Sequence, residues 1–182
     1  QKKFKKAAAY FEKTDLRYLN NEEIAEYYFK TGYAYFNIED YNRASKNLSE
    51  ILKVESRYKT AAVYYYAHVA YQNNNLNTAN EYFRKLDSSE TFGPLVPYYI
   101  IQIKYEQKRY DEVIDYYKTI ESRTDVKNRA EIDRYVAESR RLLKVLDQRL
   151  AGRRALIAQR LCELETVAVA PDQCGRRGGG AI

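Results

Sequence analysis

One pattern recurs along most of this chain, and it limits what the chain can fold into. An aromatic residue or leucine is followed three positions later by Ala or Val, and four positions after that by another aromatic or leucine. The trios are Phe4-Ala7-Phe11, Tyr41-Ala44-Leu48, Leu76-Ala79-Phe83 and Tyr110-Val113-Tyr117. The last three recur at intervals of 35 and 34 residues. Steps of three and four place each trio on one face of a helix. The last three trios follow short polar turns, "NIED", "QNNN" and "EQKR". Before those turns lie further apolar-periodic segments, over 24–36, 60–71 and 97–105. The predicted unit is helix, tight turn, helix, and such units stack in a row.

A second regularity runs through the first helix of each unit. Gly32 falls in register with Ala67 and Ile101. Gly32 with Ala44, and Ala67 with Ala79, are expected to let paired helices approach closely. Ile101 with Val113 should hold the third pair further apart, within the usual spacing of about 8–10 Å. Pro97 suits only a first helical turn.

These residues resemble the tetratricopeptide repeat (TPR) family. Tyr28, Gly32 and Tyr35 match its first helix, and Ala44 and Leu48 its second. Val63, Ala67, Ala70, Ala79 and Phe83 match the next unit. Thr31 and His68 depart from the favoured neighbours of the small residue. The closing proline is absent, with Ser56 and Thr91 near its place. The resemblance covers roughly residues 1–138 and implies a right-handed α-solenoid of antiparallel helical pairs. It divides the chain into a partial unit over 1–20 and units over about 25–58, 60–92 and 94–127. The start of a further helix occupies 128–138. The first trio is a second-helix pattern with no first helix before it, so the chain is expected to begin inside a longer array.

In that family the first helices line the concave side. The resemblance therefore implies three columns of groove residues: Phe29, Tyr64 and Tyr98; Tyr33, His68 and Gln102; Phe36, Tyr71 and Tyr105. Tyrosine offers a large ring with a polar tip at low entropic cost, which suits a peptide-binding surface. The alternative is that these rings only pack between helices. The family's carboxylate clamp needs Lys and Asn where this chain has Phe29, Tyr33, Ala61 and Tyr65. A non-enzymatic scaffold binding a protein or peptide is the expected function; a purely structural part in a larger assembly is an alternative.

The composition breaks near residue 139. All 20 tyrosines and 6 phenylalanines lie at or before Tyr135. Beyond it arginine outnumbers lysine 8 to 1, and 5 of the 7 glycines are found there. Of the net charge of +6, residues 1–138 contribute +1 and residues 139–182 contribute +5. A nearly neutral repeat region argues against nucleic-acid binding there; the basic tail is the competing candidate. The shift also suggests a different, non-native origin for 139–182. Leu143, Leu146, Leu150, Ile157, Leu161 and Leu164 have helical spacing, so 139–166 is expected to form an amphipathic capping helix. Residues 167–182 are expected to be a disordered tail. A membrane-surface helix is the lesser reading of "LAGRRALIAQRL", which lacks bulky interfacial aromatics.

No catalytic constellation accompanies these features. His68 is the sole histidine and is read as a groove or surface residue rather than a pH sensor. Cys162 and Cys174 match no zinc spacing, and no cofactor is called for. The pairs Glu22–Glu23 and Asp111–Glu112 are read as helix-start residues complementing the dipole. "PLVP", Pro94 to Pro97, is read as a linker rather than a PxxP ligand, and "GRRGGG" lacks the strand, helix and Lys-Ser/Thr of a phosphate loop. No apolar run is long enough to span a membrane. The Lys-, Asn-, Tyr- and Ile-rich repeats loosely resemble envelope proteins of Bacteroidetes, which favours a bacterial cell envelope or periplasm.

Overall fold

The computed structural model describes residues 2–168, with side chains placed to Leu161. Among the described residues the chain is all-helical and has no strand. The long helices are α1 (Lys2–Phe11), α2 (Asn21–Asn37), α3 (Tyr41–Leu52) and α4 (Lys59–Gln72). They continue with α5 (Leu76–Arg84), α6 (Val96–Glu106), α7 (Tyr110–Ile120) and α8 (Arg129–Ala168). Residues 169–182, which hold most of the expected tail and Cys174, lie outside the described residues.

Local chemistry sets the helix ends. Asn20 accepts from the Glu22 and Glu23 amides at 3.0 Å, and the Glu23 carboxylate accepts from the Asn20 amide at 2.9 Å. This reciprocal cap satisfies donors that the helix start leaves unpaired. Asp40 and Asn75 cap α3 and α5 by accepting from the amides of Arg43 and Thr78. Glu22, Glu23, Asp111 and Glu112 sit in first turns, where the helix dipole favours negative charge.

The three turns between paired helices are built alike. Glu39, Asn74 and Lys108 hold positive φ of 65°, 57° and 60°. In each turn the next amide reaches back to the preceding helix: Asp40 to Tyr35 O at 3.0 Å, Asn75 to Ala70 O at 2.8 Å, Arg109 to Lys104 O at 3.0 Å. These are the left-handed ends that stop a helix while satisfying its last carbonyls. Their spacing repeats the 35- and 34-residue intervals of the sequence.

Each helix from α1 to α6 packs on its successor. Three core clusters follow one another along the chain. The first gathers Ala34, Tyr35, Ala44, Leu48, Ile51, Ala62 and Val69. The second gathers Ala67, Ala79, Phe83, Leu86, Ile100 and Ile103. The third joins Ile101, Val113 and Ile120 to Ile132 and Val136 at the start of α8. At Gly32 the helices do meet closely: a Cβ added there would meet Leu48 Cγ at 2.8 Å and Cδ2 at 2.9 Å. The bulky residue of the trio, one turn beyond Ala44, fills the space the missing side chain leaves.

Within the described residues, one compact unit ends at Ser139 and a second begins at Arg140. The two helices expected over 128–138 and 139–166 are one element, α8. The reason lies at Leu143, in register with Glu39, Asn74 and Lys108. There the sequence reads "LLKV", three apolar residues that favour continued packing, where the other units have mostly polar turns.

Candidate interaction surface on the first helices

The nine groove candidates lie on α2, α4 and α6, one set per helix, because their 34–35-residue spacing matches the repeat. Phe29, Tyr33, Phe36, Tyr64, His68, Tyr71, Tyr98, Gln102 and Tyr105 are all half-buried. Seven of them meet other rings in a continuous web, and Tyr71 meets the Glu106 carboxylate. Tyr33 lies 5.8 Å from Phe4 and stacks on Phe29 at 6.2 Å. Phe36 lies 6.2 Å from the His68 ring. Tyr105 meets Tyr110 and Tyr135 at 5.5 and 5.0 Å.

Two rings outside the expected columns hold the web together. Tyr65 meets Phe29, Tyr33, Phe36 and Tyr64 at centroid distances of 6.1, 5.0, 5.3 and 5.4 Å. Tyr99 meets Tyr64, His68 and Tyr98 and stacks on Phe83 at 4.5 Å. The path from Phe29 to Tyr64 runs through Tyr65, and from Tyr64 to Tyr98 through Tyr99. Tyr65 and Tyr99 are 34 residues apart, so a column was present in the sequence; its first member is Lys30, which hid its aromatic character. Edge-to-face contacts like these add to area burial and fix ring orientation.

The polar tips are tied across units as well. Tyr64 and Tyr99 hydroxyls lie 3.2 Å apart. The Tyr71 hydroxyl donates to the Glu106 carboxylate, and Gln107 donates to Asn77 at 3.0 Å. Burial pushes the Tyr65 phenol up to about 12. Burial, reinforced by Tyr64 for Tyr99 and by Glu106 for Tyr71, keeps both phenols protonated well beyond the ordinary range. The surface therefore presents neutral hydroxyls at physiological pH.

His68 sits among the rings of Phe36, Tyr64, Phe83 and Tyr99, at 6.2, 4.6, 5.2 and 4.6 Å. Burial lowers its pKa from 6.5 to about 4. It is thus a neutral member of the ring cluster rather than an open polar group. Gln102 is half-buried on α6 and is the polar member of its column.

Ion pairs also link neighbouring helices. Glu12 accepts from the Tyr35 hydroxyl at 2.5 Å and from Arg43 at 2.9 Å, linking the end of α1 to α2 and α3. Lys104, nearly buried, pairs with Glu112, whose carboxyl Lys104 and then Arg109 hold below its usual range. Among the described residues, no group of three or more His, Cys, Asp or Glu side chains is placed to hold a metal. Comparisons with family models, with curated proteins and with solved structures return no match.

Proposed function

We propose that residues 1–138 are a TPR-type right-handed α-solenoid acting as a non-enzymatic interaction scaffold. It holds a peptide or partner-protein segment against the aromatic faces of α2, α4 and α6. The like turns at 35- and 34-residue intervals and the successive packing of α1 through α7 support the solenoid. One observation carries the functional reading. All nine residues of the three columns keep part of their surface open, while ring contacts fix seven of them and a hydrogen bond to Glu106 fixes Tyr71. A surface ordered before binding loses little side-chain entropy on association. Its rings supply apolar area and its neutral hydroxyls supply hydrogen bonds, so the fitting partner is a segment with apolar anchors and unpaired backbone groups.

The test is selection of binding peptides from a displayed library, followed by titration against Tyr33→Ala and Tyr71→Ala variants whose folding is checked by circular dichroism. Each substitution should weaken binding about tenfold or more, as truncating an aromatic anchor does. Peptides that bind both folded variants with unchanged affinity would place the contact elsewhere and sink the proposal.

A further inference from the structure

The second compact unit begins at Arg140, and its described side chains run to Leu161 on α8. Leu146, Leu150, Ile157 and Leu161 are 45%, 53%, 60% and 56% exposed. At 100° per residue the four fall within an arc of roughly 60°. They form one apolar stripe about 23 Å long, at the helical rise per residue. Large apolar side chains gathered on one exposed face mark a binding surface.

The charge around the stripe is one-sided. Residues 140–161 carry 7 cations, Arg140, Arg141, Lys144, Arg149, Arg153, Arg154 and Arg160, against Asp147 alone. Arg153 and Arg154 fall on opposite flanks of the stripe, roughly 60° and 40° from Leu150. They occupy its middle, in the gap between Leu150 and Ile157.

We propose that this helix lies in the surface of an anionic lipid bilayer, with the stripe toward the acyl chains and the arginines at phosphate level. Three features of the placement favour that occupant. A second copy of the helix would meet this one stripe to stripe. The stripe is centred on Arg153 and Arg154, so parallel and antiparallel pairing alike would set these cations against their own counterparts. A nucleic acid would take the cations but leave four apolar side chains in water. A bilayer takes both: leucine and isoleucine enter the acyl boundary, while guanidinium groups on long stems reach phosphates and bond them two at a time. No helix among the described residues is long and apolar enough to cross a membrane, and a stripe this narrow suits lying on one. The inference is independent of the aromatic surface on α2, α4 and α6.

The experiment is co-sedimentation of the full chain with vesicles of phosphatidylcholine alone and of phosphatidylcholine mixed with phosphatidylglycerol, at low and physiological salt. Binding should favour the anionic vesicles at least about tenfold and weaken as salt screens the charges. Arg153→Gln with Arg154→Gln should weaken it roughly thirtyfold. Leu150→Glu with Ile157→Glu should abolish it while helicity and melting temperature stay unchanged, since all four positions are exposed. No binding, or equal binding to both vesicles, overturns the proposal. Vesicle binding that survives the glutamate pair means plain electrostatic adsorption and also overturns it. So does dimerisation lost in Ile157→Glu without vesicle binding, or nucleic-acid binding that Ile157→Glu leaves intact in a chain with no preference for anionic vesicles.

Discussion

Tyr64 and Tyr99 place their hydroxyls 3.2 Å apart, one on α4 and the other 35 residues later on α6. Their rings meet edge to face at 6.2 Å. The pair joins successive units at the polar end, as Phe83 against Tyr99 does at the apolar end. Removing either hydroxyl leaves the other half-buried without this partner. Tyr64→Phe and Tyr99→Phe should each cost about 0.5–1.5 kcal/mol. The double substitution should cost less than the sum, because one lost bond cannot be lost twice. Urea unfolding of the four proteins in the cycle measures this. Strict additivity would mean that the hydroxyl contact contributes nothing.

His68 gives the fold an acid-sensitive point. Its folded pKa is about 4, lowered by burial from 6.5. The unfolded chain therefore binds more protons between those values. The stability that neutral His68 permits is fully present above pH 6.5 and is lost as pH falls toward 4. The loss attributable to this one group is about 3 kcal/mol at its largest. His68→Phe keeps a ring among Phe36, Tyr64, Phe83 and Tyr99 and removes the titration. Carboxylates such as Glu112 also weaken the fold in acid, and they are common to both proteins. The difference in stability between the two, followed from pH 7 to pH 4, isolates the histidine: it should move in favour of the variant as pH drops. A constant difference would show that His68 does not titrate in this range.

The repeat was legible because helix-pair packing needs residues of set size at a set interval. Tyr41, Ala44 and Leu48, with their equivalents, display that directly. The turns were legible as polar gaps, although nothing in "NIED" or "EQKR" announces that Glu39 and Lys108 take left-handed backbone. The candidate surface was half legible. The columns beginning with Phe29, Tyr33 and Phe36 came from the groove positions that the family resemblance implies. Tyr65 and Tyr99, the rings with most contacts to those columns, were missed because their column begins with Lys30. Period gives the register of a position; which neighbouring ring turns inward depends on helix rotation, and that is set by packing. The break near residue 139 was legible in composition but not in secondary structure, since "LLKV" offers no reason for the helix to stop.

The approach of α3 to α2 turns on Gly32. A Cβ there meets Leu48 Cγ and Cδ2 inside 3 Å and Leu48 N at 3.3 Å, and Leu48 itself is fully buried. Gly32→Ala gains roughly 0.5–1 kcal/mol of helix propensity. Overpacking costs about 1–3 kcal/mol, and a Leu48 enclosed on all sides has no room to give. The substitution should therefore destabilise by about 1–2 kcal/mol on balance. In a Leu48→Ala background the clash is gone, and the same Gly32→Ala change should become neutral or stabilising. Thermal or urea unfolding checks the change of sign; the same effect in both backgrounds would show that Leu48 is not the obstacle.

The three like turns predict the opposite behaviour for glycine. Glu39 and Lys108 hold φ of 65° and 60° with a Cβ in place, a conformation costing most residues about 1–2 kcal/mol. Both are exposed, so substitution removes no core contact. Glycine relieves the strain but enlarges the entropy of the unfolded chain, which offsets part of the gain. Glu39→Gly and Lys108→Gly should each stabilise by about 0.5–1 kcal/mol. Asn74→Gly, at φ 57°, should gain less, since a short polar side chain already tolerates this region. The sites lie in separate turns, so combining Glu39→Gly with Lys108→Gly should add their effects. Urea midpoints of the single and double variants measure it, and a loss of stability at Glu39 or Lys108 would mean that the side chain there contributes more than its backbone strain costs.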